Sequence, residues 1–74
     1  MGLRELEYIV AVAEERSISK AAERLFLAQS SLSQYLTRYE TELNTKLFTR
    51  TSSGVKPTAA GEIYISNAKQ MLWQ

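Results

Sequence analysis

Residues 29–43 read QSSLSQYLTRYETEL. Within this stretch Leu32, Leu36, Tyr39 and Leu43 follow one another in steps of four, three and four. With about 3.6 residues to a turn, those steps keep all four on one side of an α-helix. At about 100° per residue, Ser30, Gln34, Thr37 and Thr41 point almost directly away from that stripe. Arg38 sits on the edge of this outer face, and Gln29 and Ser33 lie near the helix's N-terminal end. Asn44 follows the last apolar residue and suits a left-handed C-terminal cap. The stretch predicts a helix with leucines inward and an outer face made of amides and hydroxyls.

Upstream, Leu3, Leu6, Ile9, Val10 and Ala13 recur at helical spacing with charges between them, so residues 3–15 predict an amphipathic first helix. Ser17-Ile18-Ser19 interrupts it. Ser19 is a suitable N-cap for a short second helix whose inner face is Ala21, Ala22 and Leu25. The two alanines allow another helix to approach closely. Phe26-Leu27-Ala28 then forms a short apolar connection to the helix at 29–43.

Downstream, Leu47-Phe48-Thr49-Arg50 and Val55-Lys56-Pro57 flank Thr51-Ser52-Ser53-Gly54. That is the pattern of a small hairpin, with Gly54 able to take a positive φ in the turn and Pro57 ending the second strand. Thr58 caps a fourth helix running through Leu72 or beyond, with Gly61, Ile65, Ala68 and Leu72 as its stripe, widened by Tyr64 and Met71. Three helices with a tight second connection, then a hairpin, match a winged helix-turn-helix. The expected fold class is therefore mostly α: a winged helix-turn-helix over 1–58, with the helix-turn-helix at about 18–37 and the wing at about 46–57. A long linker or dimerisation helix is expected over 59–74.

Composition limits what such a domain can do. Seventy-four residues suffice for one small domain, and domains of this size often lean on a disulfide, a metal or a partner subunit. The sequence has no cysteine and no histidine, which excludes disulfides and thiolate sites and removes the commonest metal ligand and general base. A partner subunit remains, and no cofactor or metal is expected. Arg4, Glu5, Glu7, Glu14 and Glu15 prevent the first fifteen residues from forming a signal-peptide core or a membrane span, so a soluble, cytoplasmic protein is expected, with no membrane partner.

The net charge of +1 hides an uneven distribution. Residues 1–15 hold one arginine against four glutamates. Residues 16–58 hold seven cations, Arg16, Lys20, Arg24, Arg38, Lys46, Arg50 and Lys56, against three glutamates. The middle of the chain is the side expected to meet an anionic partner.

A major groove admits one α-helix, whose exposed residues must form hydrogen bonds without being bulky or acidic. Gln29, Ser30, Ser33, Gln34, Thr37 and Arg38 meet that demand. Glutamine pairs a donor and an acceptor with adenine, and serine or threonine reaches bases or phosphates. Arg50, Ser53 and Lys56 on the wing can reach flanking phosphates or the minor groove, and Lys20 at the start of the second helix can touch a phosphate. Double-stranded DNA is the expected partner. A polar outer face also suits a merely solvated helix, and winged-helix domains also serve as protein-interaction modules. The polar, partly basic face of the third helix argues against the latter, since protein interfaces favour apolar and aromatic centres. Catalysis is the least supported alternative: Ser19, Ser30, Ser31 and Ser33 have no histidine base, and neither a carboxylate pair nor a glycine-rich phosphate loop occurs.

Four blocks, Ala21-Ala22-x-x-Leu25, Gln29-x-x-Leu32-Ser33, Leu43-x-x-x-Leu47-Phe48-x-Arg50 and Thr58-x-Ala60-Gly61, resemble the amino-terminal domain of LysR-type transcriptional regulators across nearly the whole chain. The resemblance implies a bacterial regulator that binds operator DNA as a dimer or higher homo-oligomer. Any small-molecule effector would act through a separate domain beyond the fourth helix, absent from this chain. It also implies that Gln29, Ser30, Ser33 and Gln34 face the major groove, that Arg50 and Ser53 approach the backbone or minor groove, and that the fourth helix pairs with its counterpart. Five positions depart from the usual pattern. Ala28 stands for a serine or threonine cap, Ser30 for proline, Tyr39 for leucine, Asn44 for glycine and Ser53 for a frequent arginine. The missing cap at 28 is expected to weaken the third helix's start by about 1 kcal/mol.

The fourth helix is expected to outrun so small a core, leaving apolar surface on Tyr64, Ile65, Ala68, Met71 and Leu72 for a second copy to cover. A two-fold dimer would set two recognition helices on successive major grooves of an inverted-repeat operator.

Overall fold

Helix α1 (Leu3–Glu15), α2 (Ile18–Leu25) and α3 (Gln29–Leu43) precede the antiparallel strands β1 (Phe48–Thr51) and β2 (Gly54–Pro57), and α4 (Ala59–Leu72) follows. The structure is a computed structural model that describes residues 2–73. Its elements have the order and type of a winged helix-turn-helix. No helix among the described residues is long and apolar enough to cross a membrane.

The core forms where the helical stripes meet. Ile9 and Val12 of α1, Ile18, Ala21 and Ala22 of α2, and Leu32, Leu36 and Tyr39 of α3 close on Leu47, Phe48 and Val55 from the wing and Ile65 from α4. Ile9, Leu32 and Leu47 are fully buried, and each such side chain contributes about 1.5–3 kcal/mol. Ala21 and Ala22 are buried where α1 and α3 both pack on α2, as small side chains at a close approach require.

Ser17, rather than Ser19, caps α2. Its Oγ accepts the Lys20 backbone N–H at 3.2 Å, and Ser19 is exposed with its hydroxyl 3.1 Å from that of Ser17. Both serines have the cap chemistry, and burial decides between them. Starting the helix at Ile18 turns that side chain into the core.

Paired backbone bonds close α2 and α3 in the same way. Phe26 N–H meets Glu23 O and Leu27 N–H meets Ala22 O; Asn44 N–H meets Thr41 O and Thr45 N–H meets Glu40 O. Both cap residues are left-handed, Phe26 at φ 60° and Asn44 at φ 52°. Asparagine tolerates that region, whereas phenylalanine is strained there. The Phe26 ring is 95% exposed, so little packing offsets the strain. Phe26→Gly is therefore expected to stabilise the domain by about 0.5–1 kcal/mol, read as a raised midpoint of urea unfolding. A lowered midpoint would show that the ring packs on something in the folded state.

The hairpin closes through Ser52 and Ser53, since Thr51 pairs with Gly54 at the end of the ladder. Gly54 takes φ 134°, and a Cβ there would lie 2.3 Å from the Arg16 carbonyl oxygen, which accepts the Val55 N–H. Only glycine allows the wing to dock on the end of α1 in this way.

Thr58 caps α4 by accepting the Gly61 N–H at 2.9 Å, and its own hydroxyl donates to Lys46 O at 2.6 Å. The helix then lies along α1, where Ala68 joins Leu6 and Val10 in a second buried cluster flanked by Tyr64 and Leu72. The expectation that the α4 stripe outruns the core is corrected here. Ile65 and Ala68 are buried and Tyr64 and Leu72 half-buried, because Leu6 and Val10 supply a matching apolar row on α1. Met71 alone of the five is exposed, and Ile63, which points away from the stripe, is exposed as well. A long free-standing linker helix is not seen among the described residues; α4 covers fourteen residues.

Candidate nucleic-acid interface

The outer face of α3 is open along its length. Gln29, Ser30, Gln34, Thr37, Arg38 and Thr41 are exposed, while Ser33 is half-buried on the flank nearest the wing. The first turn holds no acidic residue, and Ala28 makes no side-chain cap. The backbone N–H groups at the start of α3 are thus left without a side-chain acceptor at the positive end of the helix, a setting that favours an anion such as phosphate.

Two threonines are less free than their exposure suggests. Thr37 Oγ1 donates to Ser33 O at 3.1 Å, and Thr41 Oγ1 donates to Thr37 O at 2.8 Å. Their hydroxyl protons are committed to the helix backbone, so each presents outward only oxygen lone pairs and a methyl group.

The wing is tied to α3 at two points. Glu40 extends its carboxylate to the backbone N–H groups of Leu47 at 2.7 Å and Phe48 at 3.0 Å, with Lys46 Nζ 3.9 Å from its other oxygen. Charge-assisted bonds of this kind are the stronger ones and fix the loop between α3 and β1. Further along, Arg50 Nη2 donates to Ser33 Oγ at 2.9 Å. The wing arginine is thereby brought onto the flank of α3. At the tip, Ser53 Oγ lies 3.3 Å from Thr51 Oγ1, and Ser53 and Lys56 border a groove shared with Arg16 at the end of α1. Lys20 stands apart, exposed near the start of α2.

The cations do not all face the same work. Arg24 is taken up by Glu14 at 2.9 Å and Glu15 at 3.1 Å, and the hydrogen bonds it donates to those two carboxylates raise its pKa further. Lys69 reaches Glu14 at 3.7 Å. Arg38, Arg50, Lys56, Lys20 and Arg16 are exposed on or beside α3 and the wing, as is Lys46, which lies 3.9 Å from Glu40.

Behind the outer face of α3 lies a row of tyrosines. Tyr8 meets Tyr35 edge-on with centroids 4.9 Å apart, Tyr35 stacks on Tyr39 at 6.1 Å, and Tyr39 meets Tyr64 edge-on at 6.0 Å. The hydroxyls of Tyr39 and Tyr64 are hydrogen-bonded, joining α3 to α4. Burial, and then the nearby Glu5 carboxylate, push the Tyr35 phenol up to about 12, and burial followed by the Tyr39 contact raises Tyr64 as well. Both stay neutral through the physiological range.

Sequence reasoning brought Gln29, Ser30, Ser33, Gln34, Thr37 and Arg38 to one helix, and the structure places them there. It missed Glu40, although a carboxylate four residues after Leu36 and three before Leu43 stands beside the apolar stripe and so close to the core. It also missed that Arg50 and Ser33, seventeen residues apart, touch; no local spacing signals that contact.

Residues 3–62 match the model of the family described as bacterial regulatory helix-turn-helix protein, lysR family. The chain is 45% identical over 74 residues to the HTH-type transcriptional regulator AlsR of Bacillus subtilis (strain 168), covering 100% of this chain and 24% of that protein. It is 46% identical over 72 residues to the HTH-type transcriptional regulator BudR of Klebsiella aerogenes, covering 97% of this chain and 50% of that protein. The chain thus spans about a quarter to a half of the length of the curated relatives it matches. Among solved structures, the complex of BenM_DBD with catB site 1 DNA superposes with a TM-score of 0.91 at 43% identity, covering 97% of this chain and 81% of that one.

Proposed function

Since the chain belongs to the lysR family of bacterial regulatory helix-turn-helix proteins, we propose that it binds duplex DNA sequence-specifically, as the DNA-reading part of a transcription regulator. α3 enters the major groove and the wing lies along the flanking backbone. The observation that carries this is the outer face of α3: an uninterrupted run of amide and hydroxyl side chains with a cation from the wing hydrogen-bonded onto it. BenM_DBD, a protein of closely similar fold, was solved with DNA.

Roles divide by position. Gln29 and Gln34 engage base edges, Ser30, Ser33, Thr37 and Arg38 fill in around them, and Lys56, Ser53 and Lys20 meet phosphates. On a duplex selected from a random pool, Gln29→Ala and Gln34→Ala are each expected to relax base preference by about 1–3 kcal/mol. Lys56→Ala is expected to weaken all duplexes alike and to flatten the salt dependence by about one counterion. Titrations on the selected and on random DNA check this. Equal losses on both duplexes for all three variants would contradict it.

Two chains are proposed to act together on an inverted repeat, the winged helix-turn-helix over 1–58 reading DNA and the segment from 59 onward joining the copies. Ile63 and Met71 are the large apolar side chains exposed on α4 and meet a second copy first; Tyr64 and Leu72 border them. Ile65 and Ala68 support that surface from beneath. Sedimentation with the selected duplex is expected to give two chains per duplex, and one chain at high micromolar concentration would count against pairing. An effector response, in this reading, belongs to a further domain. No catalytic role is proposed, given a sequence without histidine or cysteine.

A further inference from the structure

The contact between Arg50 and Ser33 has chemical consequences for what the reading face selects. Arg50 comes from β1 and Ser33 from the wing-side flank of α3, and the Arg50 Nη2–H donates to Ser33 Oγ at 2.9 Å. A serine hydroxyl has one proton and two lone pairs, and ordinarily rotates to serve as donor or acceptor as the partner requires. Here the guanidinium occupies one lone pair, and its positive charge favours turning the hydroxyl proton away from it. Ser33's backbone carbonyl is already taken by Thr37 Oγ1, so nearby polar groups on this flank are engaged among themselves. What remains is donor-rich: the Ser33 O–H and the unused N–H groups of Arg50 against one remaining Oγ lone pair. The carboxylate nearest on this flank, Glu40, is bound to the Leu47 and Phe48 N–H groups and does not compete.

We propose that Arg50 is a specificity-determining residue acting through Ser33, holding that hydroxyl as a donor so that the base opposite it must present acceptors. In the major groove guanine presents two acceptors, N7 and O6, thymine one acceptor beside a methyl group, and adenine and cytosine an amino donor. Two donors, the Ser33 O–H and an Arg50 N–H, match guanine best, so the pair favours a G·C base pair in the orientation that places guanine against Ser33. Arg50 is a positioning residue in this account, and its contribution is to base choice as well as to general attraction for phosphate. The inference rests on the proposal that α3 reads duplex DNA.

The test is a double-mutant cycle measured base pair by base pair. The full chain, Arg50→Ala, Ser33→Ala and the doubly substituted chain are titrated with the selected duplex and with duplexes in which each base pair is inverted in turn. The ratio of affinities for selected and inverted duplex cancels any loss of general phosphate attraction. Both single substitutions are expected to lower that ratio by about tenfold at the same one G·C pair, and the double substitution to lower it no further. Arg50→Ala lowering affinity for every duplex by one factor, with all ratios intact, would overturn the inference, as would two single effects that multiply. Should the unsubstituted chain show no preference for any duplex over random DNA, the DNA-reading proposal itself fails, and this one with it.

Discussion

Gly61→Ala is expected to bring the domain close to its unfolding midpoint at room temperature. Gly61 sits in the first turn of α4, where alanine is the better helix former by about 1 kcal/mol, so helix propensity alone forecasts a more stable protein. Packing forecasts the reverse. A Cβ at Gly61 would lie 1.9 Å from the Leu47 carbonyl oxygen and 2.9 Å from its carbon. The obstacle is backbone and it is held in place: Leu47 O accepts the Thr58 N–H at 3.0 Å, and Leu47 N–H is bound by Glu40. Relieving the clash means moving α4 off the wing and breaking the Thr58 cap that starts it. A loss of about 4 kcal/mol is expected, at the severe end for one substitution and close to the whole stability of a small domain. Urea unfolding followed by circular dichroism checks it. A variant as stable as the parent would mean that α4 is not seated on Leu47.

Glu40→Ala is the second large effect. One carboxylate oxygen satisfies two part-buried backbone N–H groups, those of Leu47 and Phe48, and these begin the wing. Hydrogen bonds to a charged group contribute about 1.5–3 kcal/mol, and alanine leaves both donors without an acceptor. Some of the loss is recovered as water enters, so a net cost of about 3 kcal/mol is expected. Glu40→Gln retains an amide oxygen and is expected to cost about half as much. The graded order, parent above glutamine above alanine, is the diagnostic outcome. Equal unfolding midpoints for all three would show that the loop does not depend on Glu40.

Much of the fold is legible because its signals are local. The stripe of Leu32, Leu36, Tyr39 and Leu43, the left-handed cap at Asn44, the Thr58 cap and the glycine needed near the hairpin turn are each decided within a few residues of chain. The misplaced cap of α2 marks where local information stops: Ser17 and Ser19 are chemically alike, and the core's demand for Ile18 chooses between them. The face of α4 is the same problem at longer range. Its stripe was visible, yet whether α1 or a second copy covers it depends on where Leu6 and Val10 arrive in space. The candidate site divides likewise. Gln29, Gln34 and their neighbours follow from one helix's periodicity, whereas the Arg50–Ser33 and Glu40–Leu47 contacts exist only after the wing folds back on α3.

The side-chain amide signals of Gln29 and Gln34, followed by nuclear magnetic resonance while a selected duplex is added at low salt, test the central claim most directly. Large shifts at both glutamines, with Ser33 and Arg50 beside them and little change at the buried Ala68 and Leu6, are the predicted result. Perturbation confined to α1 and α4, with both glutamine amides unmoved as the duplex saturates the protein, would contradict it.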